Sequence, residues 1–267
     1  MAAPTIAVLD SGLGGMTVYR EVVKLLPGAC YVYCADDVCF PYSELDEASL
    51  TARVLAVTQS IKERYAPDLI VVACNTASTV ALPELRERFQ LPIMGTVPAV
   101  KPAAAASRSK LISILGTEAT VQREYTHALI RDFAADCEVT LVGSTRLASI
   151  AEADLRGDAV DDAEIERQIA ACFVEKGGRR TDVVVLGCTH YPLLLERLQR
   201  LAPWPVQWLD PAPAIARRVA ELLGDTAGAG AAAPPIAAFT SGKPPRIALE
   251  RFGFESEARP LAVHSTS

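Results

Sequence analysis

The chain has 267 residues, half of them apolar and 22% charged, with a formal net charge of −6. That length holds one large domain or two modest ones, each with a real core. The acidic balance and the lack of any basic cluster exclude a general nucleic-acid or anionic-membrane binder.

Taken in chain order, the first apolar run, residues 5–9, reads as a strand and meets Asp10 at its end. No positive segment precedes it, so it does not read as a secretory signal. It leads into Asp10-Ser11-Gly12-Leu13-Gly14-Gly15 and then a helical pattern. Glycines at a strand-to-helix turn let backbone N–H groups approach an anion. The alternative is a plain tight turn. The segment is neither a Walker loop nor a full dinucleotide fingerprint, because the last glycine position is Thr17. Asp10 and Ser11 suit a substrate ammonium and carboxylate.

A second strand, 30–35, runs into Ala35-Asp36-Asp37-Val38-Cys39-Phe40-Pro41-Tyr42, a polar strand end with a Pro-Tyr turn. A helix over 47–65 follows, then an apolar strand, 68–73, that stops at Cys74-Asn75-Thr76-Ala77-Ser78. Further strands are expected at 92–97, 111–115, 137–142, 182–187, 206–209 and 236–240. Helices are expected at 121–133, 163–176, 193–201 and 213–223. Glu152 falls on a helical stretch and reads by itself as part of a solvated face. The 182–187 strand ends at Cys188-Thr189-His190, in the same context as Cys74. Residues 224–235 are low in complexity and read as a mobile surface connection.

Strands alternating with helices predict parallel sheets built from βαβ units. Two smaller sheets suit the duplicated cysteine ends better than one of nine strands. The expected break lies in the Pro- and Ala-rich passage 98–106. No segment approaches the roughly 18 apolar residues of a membrane span, so a soluble, cytoplasmic protein is expected.

Seven cysteines, an odd number, argue against a disulfide framework. Cys30, Cys34 and Cys39 are close in sequence, but no C-x-x-C pair exists and His127, His190 and His264 are scattered. No metal site is expected. Cys30, Cys34, Cys137 and Cys172 read as small hydrophobes.

Cys74 and Cys188 stand apart. In open α/β sheets the ligand crevice lies beyond the carboxyl ends of the strands, where both are expected. A free thiol titrates near about 8.5, and a thiol that opens a helix gains from the positive end of the helix dipole. Asn75 and Thr76 can donate hydrogen bonds to a carboxylate, and His190 can hold or orient a proton. No flavin, nicotinamide or pyridoxal-lysine signature accompanies the pair. Disulfide redox chemistry favours C-x-x-C spacing, and a thiol hydrolase leaves one cysteine unexplained. Two-base proton transfer uses both, with the thiols in opposite protonation states.

At these residues the sequence resembles the glutamate racemases of the aspartate/glutamate racemase superfamily. The resemblance spans nearly the whole chain: D-S-G-L-G-G from Asp10, A-D-x-x-x-F-P-Y from Ala35, A-C-N-T-A-S from Ala73 and L-G-C-T-H-Y-P-L from Leu186. Gly95-Thr96-Val97-Pro98-Ala99, Gly116-Thr117-Glu118-Ala119-Thr120 and Phe239-Thr240-Ser241-Gly242 also fit. The resemblance implies two pseudo-symmetric α/β domains, 1–98 with 208–267 and 99–207, with mainly parallel sheets flanked by helices and the active site in the cleft between them. It implies cofactor-independent interconversion of L- and D-glutamate, supplying D-glutamate for peptidoglycan, commonly by a homodimer.

By the same resemblance Cys74 removes the α-proton from D-glutamate and Cys188 from L-glutamate. Asp10 and His190 assist the thiols, and Glu152 partners His190. Ser11, Pro41, Tyr42, Ser43, Asn75, Thr76 and Thr189 line the substrate pocket, with Thr120 nearby. One turn departs from the family, whose members usually carry glycine after Pro-Tyr and often arginine before Phe-Pro. Here those positions are Ser43 and Cys39, and a Cβ at residue 43 crowds close backbone approach to a ligand. Aspartate or hydantoin racemisation, and a non-catalytic small-acid binder, are the other readings.

Overall fold

Both faces of the first strand are covered, which is why its sequence is apolar from Ile6 to Leu9: residues 6–10 of β1 (Thr5–Asp10) are all buried. The computed structural model describes residues 3–224, 233–243, 245–254 and 258–263. Helix α1 (Met16–Leu25) follows and buries Met16, Val18, Tyr19 and Val22. Strand β2 (Cys30–Ala35) pairs in parallel with β1. Helix α2 (Glu47–Tyr65) starts where the Asp46 carboxylate accepts the Ser49 N–H at 2.9 Å, and ends at Ala66 in the left-handed region. It buries Leu50, Val54, Val57 and Ile61, a stripe at helical spacing. Strand β3 (Leu69–Val72) pairs with β1 on the side opposite β2. Helix α3 (Asn75–Arg88) and strand β4 (Ile93–Gly95), which pairs with β3, complete this first passage.

The chain then builds a second unit. Helix α4 (Val100–Ala106) occupies much of the Pro- and Ala-rich passage, so that passage is not simply a linker. Strand β5 (Leu111–Thr117) is buried along its whole length. The single helix expected at 121–133 is two: α5 (Glu118–Gln122) and α6 (Glu124–Phe133). Arg123 between them is extended, with φ −70° and ψ 137°. The Thr126 hydroxyl donates to the Thr120 carbonyl at 2.7 Å, taking an oxygen that an unbroken helix would use for itself.

Strand β6 (Glu138–Ser144) and helices α7 (Leu147–Arg156) and α8 (Asp162–Ile169) follow. The helix expected at 163–176 stops early. Its last residues form a 3-10 turn and then an antiparallel hairpin of β7 (Glu175–Lys176) and β8 (Arg179–Arg180). Gly177 and Gly178, at φ 57° and 71°, make that turn. A Gly-Gly pair is the residue pattern of a two-residue hairpin. Strand β9 (Val183–Gly187), a 3-10 turn at Tyr191–Leu194, α9 (Leu195–Leu201) and β10 (Gln207–Leu209) close the unit. Its parallel sheet has the order β10-β9-β5-β6 among the described residues.

The return passage holds α10 (Ala212–Leu223), β11 (Ile236–Phe239), α11 (Arg246–Arg251) and β12 (Ala258–Pro260). β11 pairs with β2 and β12 with β11, which gives a parallel sheet β12-β11-β2-β1-β3-β4 among the described residues. β12 was not expected from sequence. Most of the low-complexity passage 224–235, and His264, lie outside the described residues. The two compact units are Met1–Thr96 with Ala212–Ser267, and Val97–Pro211. The first packs Leu50, Val54, Ile70, Val72, Leu85 and Phe89 into one cluster, and the second packs Ile112, Ile114, Val183 and Val185. Each such side chain, fully buried, contributes about 1.5–3 kcal/mol. Among the described residues no helix is long and apolar enough to cross a membrane.

Each sheet has a switch point at its first strand. From β1 the chain steps to β2 on one side and then to β3 on the other; from β5 it steps to β6 and then to β9. Crevices for ligands form at such switch points, beyond the carboxyl ends of the strands.

Candidate active site

In the first unit the switch point brings Asp10 and Cys74 to the ends of adjacent strands. Leu9 pairs with Val72, and the Ala73 N–H donates to the Leu9 carbonyl at 2.7 Å. Cys74 is the extended residue capping α3, with φ −136° and ψ 117°, and is 7% exposed. The positive end of that 14-residue helix favours negative charge at the position. Asn75 and Thr76, both buried, form the first turn of the helix. The Asn75 side-chain oxygen and nitrogen have no hydrogen-bond partner among the described residues. Buried amides are normally paired, which sets this one apart.

Ser78, one turn along, braces the cysteine's surroundings. Its N–H donates to the Cys74 carbonyl at 2.9 Å. Its hydroxyl donates to the Val72 carbonyl and accepts the Thr96 N–H, each at 3.0 Å. The tips of β3 and β4 are thereby pinned to the start of α3.

The glycine-rich turn presents its amide to the chain itself: the Gly15 N–H donates to Asp10 Oδ2 at 2.8 Å. Asp10 is fully buried and Ser11 is 4% exposed. Turn and strand approach so closely that a Cβ on Gly15 would lie 2.8 Å from Asp10 Cβ and 3.1 Å from Ala73 Cβ. Gly15→Ala therefore displaces Asp10. We expect a melting temperature lowered by several degrees, about the effect of an overpacked site, as read by thermal denaturation.

Tyr42 is buried and its hydroxyl donates to Asp36 Oδ2 at 2.7 Å, while Pro41 and Ser43 beside it are half-buried. Burial first, then the Asp36 carboxylate, push the Tyr42 phenol well above its usual range, so it stays a protonated donor.

In the second unit the switch point holds a chain of polar side chains. Cys188, 7% exposed, places Sγ 3.8 Å from His190 Nδ1. His190 Nε2 lies 3.1 Å from Glu152 Oε1, and Arg156 Nη1 donates to Glu152 Oε2 at 3.3 Å. Glu152 is no part of a solvated face: it sits on the inner side of α7 at 8% exposure, against a His190 that is 3% exposed. In the tautomer that donates Nε2–H to the Glu152 carboxylate, the Nδ1 lone pair faces the thiol. Tyr191 donates to the Gly116 carbonyl at 2.9 Å, tying the cysteine turn to the end of β5. Burial, reinforced by Cys188, raises its phenol well above the usual range. At that strand end the Thr117 oxygen caps α5 by accepting the Thr120 N–H at 3.1 Å, and the two threonine hydroxyls are 2.9 Å apart. Thr120 and Thr189 are both buried.

Thus the first unit gathers Asp10, Ser11, Tyr42, Cys74, Asn75 and Thr76, and the second Thr120, Glu152, Cys188, Thr189 and His190. Sequence reasoning missed the bracing by Ser78, although it lies inside a quoted motif, and the Tyr191 and Arg156 contacts. Each depends on a partner far along the chain or on helix facing. Chemically, each unit offers a buried thiol at a strand tip with polar groups around it, the equipment of a proton-transfer enzyme.

Comparison with known proteins gives that class a family. The Asp/Glu/Hydantoin racemase family model matches residues 6–219. A glutamate racemase of Brucella ovis is 52% identical over 229 residues, 83% of each chain. One from Mesorhizobium japonicum is 50% identical over 245 residues, 91% of this chain and 94% of its own. A crystal structure of Escherichia coli glutamate racemase, in complex with L-glutamate and the activator UDP-MurNAc-Ala, superposes with a TM-score of 0.90. It is 42% identical and covers 98% of this chain and 99% of its own. The chain belongs to the Asp/Glu/hydantoin racemase family and is an enzyme of the isomerase class.

Proposed function

We propose that this enzyme racemises glutamate without a cofactor, with Cys74 and Cys188 as its two bases, and so supplies D-glutamate for peptidoglycan. The observation that carries the reading is the like placement of the two thiols. Each follows the strand that flanks the switch point of its own sheet, and each is 7% exposed. Relatives that are about half identical, both glutamate racemases, support the substrate.

The α-proton of an amino acid is a weak acid, so the base needs its negative partner stabilised. In the proposed cycle one thiolate takes the α-proton and the other thiol delivers one to the opposite face of the carbon. Asp10 serves the Cys74 side; His190, oriented by Glu152, serves Cys188 by holding its proton at Nδ1. Ser11, Asn75, Thr76 and Thr189 hold the substrate with Pro41, Tyr42 and Ser43, and Thr120 stands beside them. Donors aimed at the carboxylate stabilise the charge that develops there, each such group being worth about 3 kcal/mol in comparable sites.

Purified protein with a chelator and no added cofactor is expected to erase the circular dichroism of L-glutamate and of D-glutamate, and not that of aspartate. An arm with UDP-MurNAc-Ala tests whether the activator of the E. coli relative acts here. Aspartate turnover in preference to glutamate, or binding of glutamate with no turnover in either arm, would overturn the reading.

A further inference from the structure

One network in the first unit meets the scheme above only at Tyr42. Asp36, directly after β2, is fully withdrawn from solvent, and a carboxylate there needs a charge partner. It has one in Arg53 of α2, which grips it with a two-pronged fork. Nε donates to Oδ2 at 2.8 Å and Nη2 to Oδ1 at 2.5 Å. The same Oδ2 accepts the Tyr42 hydroxyl at 2.7 Å. The backbone adds to the hold, since the Asp36 N–H donates to the Asp10 carbonyl at 2.8 Å.

The neighbouring Asp37 is tied from the other side. Its carboxylate accepts the Ser241 N–H at 2.9 Å and the hydroxyls of Ser241 and Thr240, just past β11. The Phe239-Thr240-Ser241-Gly242 motif therefore anchors the start of the turn at Asp37 and Val38. Tyr42 in turn packs in the same apolar cluster as Cys74, close enough for the charge of one to act on the other.

We propose that Arg53 is a positioning residue for the substrate-binding turn, acting through Asp36 on Tyr42. The proposal rests on the reading of Tyr42 and Ser43 as substrate contacts. The guanidinium fixes the acceptor, the acceptor fixes the phenol, and the phenol fixes the turn. Helix α2 is thereby coupled to substrate affinity although Arg53 itself touches no substrate.

The test is a double-mutant cycle on Arg53→Ala and Tyr42→Phe, read separately in KM and kcat for both enantiomers. Arg53→Ala is expected to raise KM about tenfold or more with kcat within about threefold, the mark of lost ground-state binding. The double variant is expected to be no worse than the worse single one, because both act through one acceptor. Unchanged KM in Arg53→Ala, a fall in kcat alone, or losses that multiply in the double variant would each overturn the proposal. If Arg53→Ala does not fold, Arg53→Gln carries the same expectation and the same overturning results. Wild-type protein inactive on glutamate would sink the glutamate reading and this proposal with it; active wild type with an indifferent Arg53 sinks this proposal alone.

Discussion

Cys74→Ser is expected to stop racemisation in both directions, and Cys188→Ser to do the same. A hydroxyl is a far weaker acid than a thiol, so serine neither holds the required negative charge nor reprotonates readily. In the proposed scheme one cysteine takes a proton while the other gives one, so losing either blocks L-glutamate and D-glutamate alike. The expected loss is about 10³-fold or more, the upper part of the range for a positioned acid or base. Both side chains are 7% exposed and the exchange is nearly isosteric, so thermal melts should move little. Full activity of either variant, followed by circular dichroism, refutes the two-base scheme.

The second large effect is expected at Glu152. Glu152→Gln keeps the shape and an oxygen that can still accept from His190 Nε2 at the 3.1 Å contact, but removes the negative charge that stabilises a protonated imidazole. His190 then draws the proton from Cys188 less well, and kcat falls by about 10²-fold. The effect has a direction. Cys188 is the proposed base for L-glutamate, so the α-deuterium isotope effect should rise for L-glutamate and not for D-glutamate. Equal changes for both enantiomers would mean that the Glu152–His190 pair serves the fold rather than the base.

Much of this was readable from sequence wherever one strand or one cap decides the structure. The buried runs that end at Cys74 and Cys188 are recognisable because parallel strands covered on both faces are continuously β-branched. Helix α2 was legible to the residue, since Asp46 caps its start and the stripe Leu50, Val54, Val57, Ile61 persists to its end. Legibility failed where partners are distant. The break at Arg123 depends on Thr117 capping one helix and Thr126 taking the carbonyl of Thr120. Glu152 looked solvent-facing because a single helix window does not reveal that His190, 38 positions on, covers it. Arg53 gave no signal at all: an arginine in mid-helix becomes informative only once Asp36 and Tyr42 are seen beneath its fork.

The decisive measurement is the fate of the α-hydrogen when L-glutamate reacts in deuterium oxide, followed by mass and proton resonance at low conversion. A thiol pair that divides the work places solvent deuterium in the D-glutamate formed, while unreacted L-glutamate keeps its protium. D-glutamate that retains the substrate's own hydrogen, or an L-glutamate pool that exchanges before any product appears, would contradict the account.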